Sequence, residues 1–127
     1  MNGTAPRILI ADDEENIVTS LEFLLRHAGF EVLTAADGEQ ALQMARAERP
    51  DLVLLDVMMP RRNGYEVCQE LRSQPQFAAL KIVMLTARGR EAEAAKGLAM
   101  GADAYITKPF STRELVTRIK SLLGIAA

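Results

Sequence analysis

Asp51-Leu52-Val53-Leu54-Leu55-Asp56-Val57-Met58-Met59-Pro60 is the stretch that decides the fold. It holds an unbroken apolar run, Leu52 to Leu55, that ends on a carboxylate. A strand that is apolar throughout is one that helices cover on both faces, as in a parallel sheet. Working outward, similar runs recur at Ile8-Leu9-Ile10-Ala11, Val32-Leu33-Thr34-Ala35, Ile82-Val83-Met84-Leu85 and Ala104-Tyr105-Ile106-Thr107. Segments of helical period separate them. Ile17, Leu21, Leu24 and Leu25 recur after Asn16 and stop at Ala28-Gly29, where glycine supplies a left-handed cap. Gly38 to Glu48 ends before Pro50, Tyr65 to Arg72 follows Gly64, and Glu91 to Met100 ends at Gly101. The last helix takes Ser111 as N-cap with Glu114 as its capping-box partner, and carries Leu115, Ile119, Leu122 and Leu123 on one face. The alternation predicts an α/β fold of five βα units around a parallel sheet.

At 127 residues the chain is sized for one domain, with no linker or repeat inside it. Hydrophobic residues at 49% and charged residues at 25% give a self-folding globular composition rather than a disordered one. A net charge of -2 with scattered Lys and Arg leaves no basic stripe, which argues against direct nucleic-acid binding. No apolar run approaches the roughly 20 residues a membrane span needs, and Met1 to Pro6 lacks a signal-peptide pattern. A cytoplasmic protein with no membrane partner is expected. Cys68, the only cysteine, cannot form an intramolecular disulfide and reads as a small buried hydrophobe. His27, the only histidine, suits a helix C-terminus, and a histidine-rich metal site is excluded.

In open α/β sheets, ligands bind beyond the carboxyl ends of the strands. Those ends carry Asp12-Asp13, Asp56, Thr86 and Lys108-Pro109. Three converging carboxylates repel one another unless a cation neutralises them, and an oxygen-only set suits magnesium. Magnesium leaves coordination positions open to a phosphoryl oxygen. Lys108 supplies positive charge and Thr86 a hydroxyl that can donate to the transferred group, so Asp56, in the centre, is the candidate nucleophile. Plainer readings exist for single residues. Asp37 before Gly38 reads as a helix cap, and Asp12-Asp13 followed by Glu14-Glu15 could be a solvated acidic turn. The joint placement favours a site.

Ile8-Leu-Ile-Ala-Asp12-Asp13-Glu14, Asp51-Leu-Val-Leu-Leu-Asp56-Val-Met-Met-Pro60, Gly64-Tyr65-Glu66, Leu85-Thr86-Ala87 and Gly101 through Phe110, in that order, resemble the bacterial response-regulator receiver domain nearly end to end. The resemblance implies a flavodoxin-like, doubly wound sheet of order 2-1-3-4-5 flanked by five helices. One receiver domain over residues 1–127 is expected, with no output domain in the chain, which is then either a stand-alone receiver or a fragment of a longer regulator. The resemblance also implies that Asp56 accepts phosphate from a phosphohistidine of a sensor kinase or histidine phosphotransfer protein. Asp13, Asp56 and the Met58 carbonyl would ligate Mg2+, or Mn2+ in its place, and Asp12 would act largely through water. Thr86, Ala87 and Lys108 would stabilise the phosphoryl group, Ala87 by leaving the site open. A cis Lys108-Pro109 peptide would aim the lysine inward. Thr86 and Tyr105 match a switch pair, the plainer alternative for Tyr105 being an edge-strand aromatic. Met58 and Arg88 match positions that tune phosphoryl lifetime. The surface reporting the change would be the fourth helix, fifth strand and fifth helix.

Lys108 to Ile119 resembles the subset attached to winged-helix DNA-binding domains, whose receivers dimerise on this face, although Ala104 stands where that subset has a second aspartate. The expected state is a monomer or a phosphorylation-promoted dimer. Two other classes are weighed against the switch, which turns over no separate substrate. An aspartate-nucleophile phosphatase needs a second carboxylate two residues on, where Met58 stands. An unphosphorylated interaction module or flavin binder has no use for a complete acidic site.

Overall fold

The computed structural model describes residues 5–87 and 91–125. The apolar runs form strands β1 (Arg7–Ala11), β2 (Glu31–Ala35), β3 (Leu52–Asp56), β4 (Lys81–Ala87) and β5 (Ala104–Lys108). The periodic segments form helices α1 (Glu15–His27), α2 (Gly38–Glu48), α3 (Gly64–Arg72), α4 (Glu91–Ala99) and α5 (Thr112–Leu122), with a short 3-10 turn at Pro75–Phe77. All strand pairs are parallel and the order is β2-β1-β3-β4-β5, as the family resemblance implies.

Period-two alternation divides the core. Ile8, Ile10, Leu52, Leu54, Val83 and Leu85 face a cluster that includes Leu21 and Leu25 of α1 and Leu115 and Ile119 of α5. Leu9, Val53, Leu55, Ile82 and Met84 face the other, which includes Ala41, Leu42 and Ala45 of α2 and Val67, Cys68 and Leu71 of α3. Every residue of β3 is buried, which explains why its sequence is apolar up to the terminal aspartate. Cys68 is a buried free thiol packed in this core, and His27 ends α1 with its ring stacked on Phe23.

Helix boundaries differ from the sequence reading in instructive ways. α1 begins at Glu15, before Asn16, with Glu14 as N-cap and no side-chain cap bond; the acidic first turn suits the helix dipole without one. α4 ends at Ala99 rather than Met100. Ser111 accepts the Glu114 N–H at 3.3 Å as expected, while a complete reciprocal capping box lies at Asn63 and Glu66 of α3. Asp37 caps α2 by accepting from the Gln40 N–H at 2.9 Å. Gly29, just past α1, has φ +100°, the left-handed cap its position requires.

The end of the sheet away from the aspartates is fastened by Arg72. Its guanidinium donates to the carbonyls of Gly101 (2.8 Å), Phe77 (3.0 Å) and Leu80 (2.8 Å) and to the Asp103 carboxylate (2.7 Å). Asp103 in turn accepts from the Ile82 N–H at 2.8 Å, so α3, the 3-10 turn and the starts of β4 and β5 share one fork of donors. Removing it strands several partly buried acceptors, each costing about 1–3 kcal/mol when its partner is lost. Urea denaturation of Arg72→Ala is therefore expected to show a loss of roughly 2–4 kcal/mol, with Arg72→Lys recovering only part because lysine lacks the planar fork; a loss under about 0.5 kcal/mol, the size of an ordinary surface substitution, would remove Arg72 from this role.

Candidate functional site

The order β2-β1-β3 reverses the winding at β1 and β3, so a crevice opens beyond their carboxyl ends. Parallel register brings the strand-end side chains there together. Asp12 and Asp13 follow β1, Asp56 ends β3 opposite Leu85, and Ala87 pairs with Lys108 on β5. One carboxylate oxygen from each of Asp12, Asp13 and Asp56 lies within 4.8 Å of the others. Asp12 and Asp56 are only 1% and 6% exposed, whereas Asp13 faces solvent. A cleft of about 370 Å³ opens onto Asp13 and Asp56, lined also by Glu14, Met58, Thr86 and Lys108 among others. Ala87 also lines it, and Thr86 is buried on its wall.

Local bonds hold the carboxylates in place. Asp12 accepts the Glu14 N–H at 2.9 Å, closing the turn between β1 and α1. Asp56 accepts the Met58 N–H at 3.4 Å. Gly64 permits the chain after β3 to double back: a Cβ there would lie 2.5 Å from the Asp56 carbonyl oxygen and 2.9 Å from the Val57 Cα. The Lys108–Pro109 peptide is cis. Lys108 Nζ lies 2.9 Å from Asp12, 3.2 Å from Glu14 and 3.6 Å from Asp56.

Glu14 is the contact that sequence reasoning missed. It was legible only as part of a solvated acidic turn, yet its carboxylate shares Lys108 with the two buried aspartates. Tyr105 stands apart from the cleft: half-buried, it packs against the α2/α3-side core and lines a groove of about 650 Å³ between β5 and α5. Arg88 lies outside the described residues.

The electrostatics follow from this crowding. Burial, then the charge of Asp12, pushes the Asp56 carboxyl up to about 7 against the opposing Lys108 charge and Met58 N–H. Burial alone would lower the Lys108 ammonium; the hydrogen bond to Asp12 and the charges of Asp56 and Asp12 outweigh it and raise it. Among the described residues, one lysine thus offsets only part of three carboxylates and Glu14. A clustered, oxygen-only donor set that strains against its own charge fits a hard divalent cation such as magnesium.

In the folded chain Asp56 keeps its proton to about pH 7, against an ordinary value of 3.8. Between those values the fold binds more protons than the unfolded chain, so stability falls as pH rises through that window and stays low above it. In chelator, Asp56→Asn is expected to melt roughly 5–10 °C above wild type at pH 8, with the difference closing near pH 4; equal melting at both pH values would contradict the raised carboxyl.

Comparisons with known proteins identify the family of this fold. The family model of the response regulator receiver domain matches residues 8–120. The chain is 50% identical over 117 residues to the alkaline phosphatase synthesis transcriptional regulatory protein PhoP of Bacillus subtilis, a match covering 92% of this chain and 48% of that protein. It spans about half the length of the curated relatives it matches. A response regulator from Chloroflexus aurantiacus superposes with a TM-score of 0.92 at 40% identity, covering 95% of this chain and 99% of the other. The receiver domain of a Pseudomonas aeruginosa sensor histidine kinase, solved with magnesium coordinated in its active-site cleft, gives 0.88 at 31% identity over 95% and 99%. With sheet order, acidic crevice and sequence in agreement, the chain belongs to the response regulator receiver domains, signalling switches of two-component systems that take phosphoryl groups from histidine kinases and are generally not turnover enzymes.

Proposed function

We propose that this chain is a phosphorylation-dependent switch, one receiver unit over residues 1–127, that accepts a phosphoryl group on Asp56 from a phosphohistidine of a sensor kinase or histidine phosphotransfer protein. The observation that carries the reading is the setting of Asp56: buried at the base of an open cleft, flanked by Asp12 and Asp13, with Lys108 3.6 Å away and Thr86 on the wall. Asp13, Asp56 and the Met58 carbonyl would hold Mg2+, with Asp12 acting largely through water and Mn2+ an acceptable substitute. When bound, the cation supplies neutralisation of the carboxylates and of the transferred oxygens.

The chain's own residues do the rest. An ionised oxygen of Asp56 bonds to phosphorus as the donor's nitrogen–phosphorus bond breaks, and the imidazole departs. Lys108 trades part of its contact with Asp12 and Glu14 for the new anionic oxygens. Thr86 donates its hydroxyl to the phosphoryl group, and Ala87 leaves room for it. The added charge, about -1.5 to -2, biases Thr86 and Tyr105 toward the cleft and so reshapes the α4–β5–α5 face. Tyr105, Phe110, Arg113 and Arg118 line the groove on that face, which suits a protein partner or, after phosphorylation, a second copy. Met58 and Arg88 tune how long the phosphoryl group persists.

A turnover phosphatase lacks support, since the position where it needs an acid carries Met58, an exposed residue with no proton to give. Among the described residues no helix is long and apolar enough to cross a membrane, and we read the chain as cytoplasmic.

With magnesium and acetyl phosphate, intact-mass measurement is expected to show one added phosphoryl group. The adduct should be absent in Asp56→Asn and in chelator. A wild type that stays unmodified, or an Asp56→Asn variant labelled as fully as wild type, would contradict the assignment.

A further inference from the structure

We propose that the first turn of α2 is the seat of the loop carrying Met58, which makes Gly38 and the Arg62–Glu70 pair positioning residues for the cation site. The proposal rests on the reading of the acidic cleft as a magnesium site that uses the Met58 carbonyl.

The loop between β3 and α3 is anchored at two places, and Met58 lies between them. On the β3 side, the Val57 N–H donates to the Leu85 carbonyl at 3.1 Å and the Gly64 N–H to the Val57 carbonyl at 2.9 Å. On the far side, the loop rests on α2. The Gly38 N–H points to the Pro60 carbonyl at 3.5 Å, and Arg61 Nε lies 3.4 Å from the Asp37 carboxylate that also caps α2. Arg61 holds φ +69°, a left-handed turn that folds the loop back toward α2.

Gly38 is small for reasons of space. A Cβ there would lie 2.5 Å from the Arg62 Cβ and 2.7 Å from its carbonyl carbon, and closer still to its carbonyl oxygen. Backbone cannot swing aside as the end of a flexible side chain can, so any side chain at position 38 must lift the loop. The Arg62 guanidinium then ties the loop sideways to Glu70 of α3, whose other oxygen takes Arg46 of α2 at 2.5 Å, and it lies 3.9 Å from Glu39. Loop, α2 and α3 are thereby locked into one another.

Magnesium demands near-ideal octahedral geometry, so a small displacement of one carbonyl ligand costs affinity. Residues that orient ligands without touching the metal typically change affinity 10–100-fold. Gly38→Ala is therefore expected to weaken Mg2+ binding roughly 10-fold, the low end of that range, and Arg62→Ala, which leaves the seat on α2 in place, roughly 3-fold, below it, with Arg62→Lys recovering part of the latter. Labelling by acetyl phosphate at saturating magnesium should stay within about 2–3-fold of wild type, because the group that reacts is untouched.

The test is calorimetric titration with MgCl2 alone, paired with thermal melts. Weakened binding in both Gly38→Ala and Arg62→Ala, with recovery by Arg62→Lys, supports the seat. A lowered melting temperature with unchanged Mg2+ affinity overturns it, leaving these residues a purely structural role. Should Gly38→Ala fail to fold, the Arg62 pair decides, and equal affinity in wild type, Arg62→Ala and Arg62→Lys overturns the proposal. A wild type that binds no magnesium defeats the site reading, and this inference with it.

Discussion

Three carboxylates with oxygens inside 4.8 Å of one another, two of them buried, are the constraint around which this molecule is arranged. Among the described residues, Lys108 reaches two of the three and is shared with Glu14. Burial first, and then the charge of Asp12, holds the proton of the Asp56 carboxyl up to about 7. Such a site is costly by itself and becomes favourable when positive charge arrives, which in the proposed reading is the physical basis for a cation-dependent phosphoryl acceptor. The rest of the chain supplies enough rigidity to keep the carboxylates from moving apart.

That rigidity has an ordinary origin. β3 is buried along its whole length, flanked by β1 and β4, and covered on both faces by helices. Its last residue, Asp56, therefore has little freedom to relieve repulsion by moving. At the opposite end, Arg72 ties α3 and the starts of β4 and β5 together, so a rigid base and a strained rim coexist on one sheet. The packing beside the cleft is similarly close: Gly97 of α4 sits against Met84 and Tyr65, and Tyr105 packs against the same side of the core. In the proposed reading, a charge placed on Asp56 biases this packing.

Much of this was legible in the residues. Burial on both faces makes β3 apolar, so the run stops visibly where the crevice begins, and Asp12, Asp13, Asp56, Thr86 and Lys108 stand out at strand ends. Sheet order was different: five βα units are compatible with several windings, and only the resemblance to a family selected 2-1-3-4-5. Side-chain partners distant in sequence left no local signal. The Glu14 contact with Lys108, the Arg72 fork and the Arg62–Glu70–Arg46 chain each join segments that periodicity cannot relate. Gly38 was readable as the start of a helix, but its closeness to the Arg62 backbone is a property of the folded chain alone. Likewise α1 begins before Asn16 because an acidic first turn needs no side-chain cap bond.

The central claim is that these oxygens meet around one divalent ion. Its most direct test is an anomalous-diffraction map from crystals of the protein grown or soaked with Mn2+. The account predicts a single strong peak within coordination distance of the Asp13 and Asp56 carboxylates and the Met58 carbonyl. A cleft without a peak at saturating Mn2+, or an ion bound only elsewhere on the molecule, would contradict it.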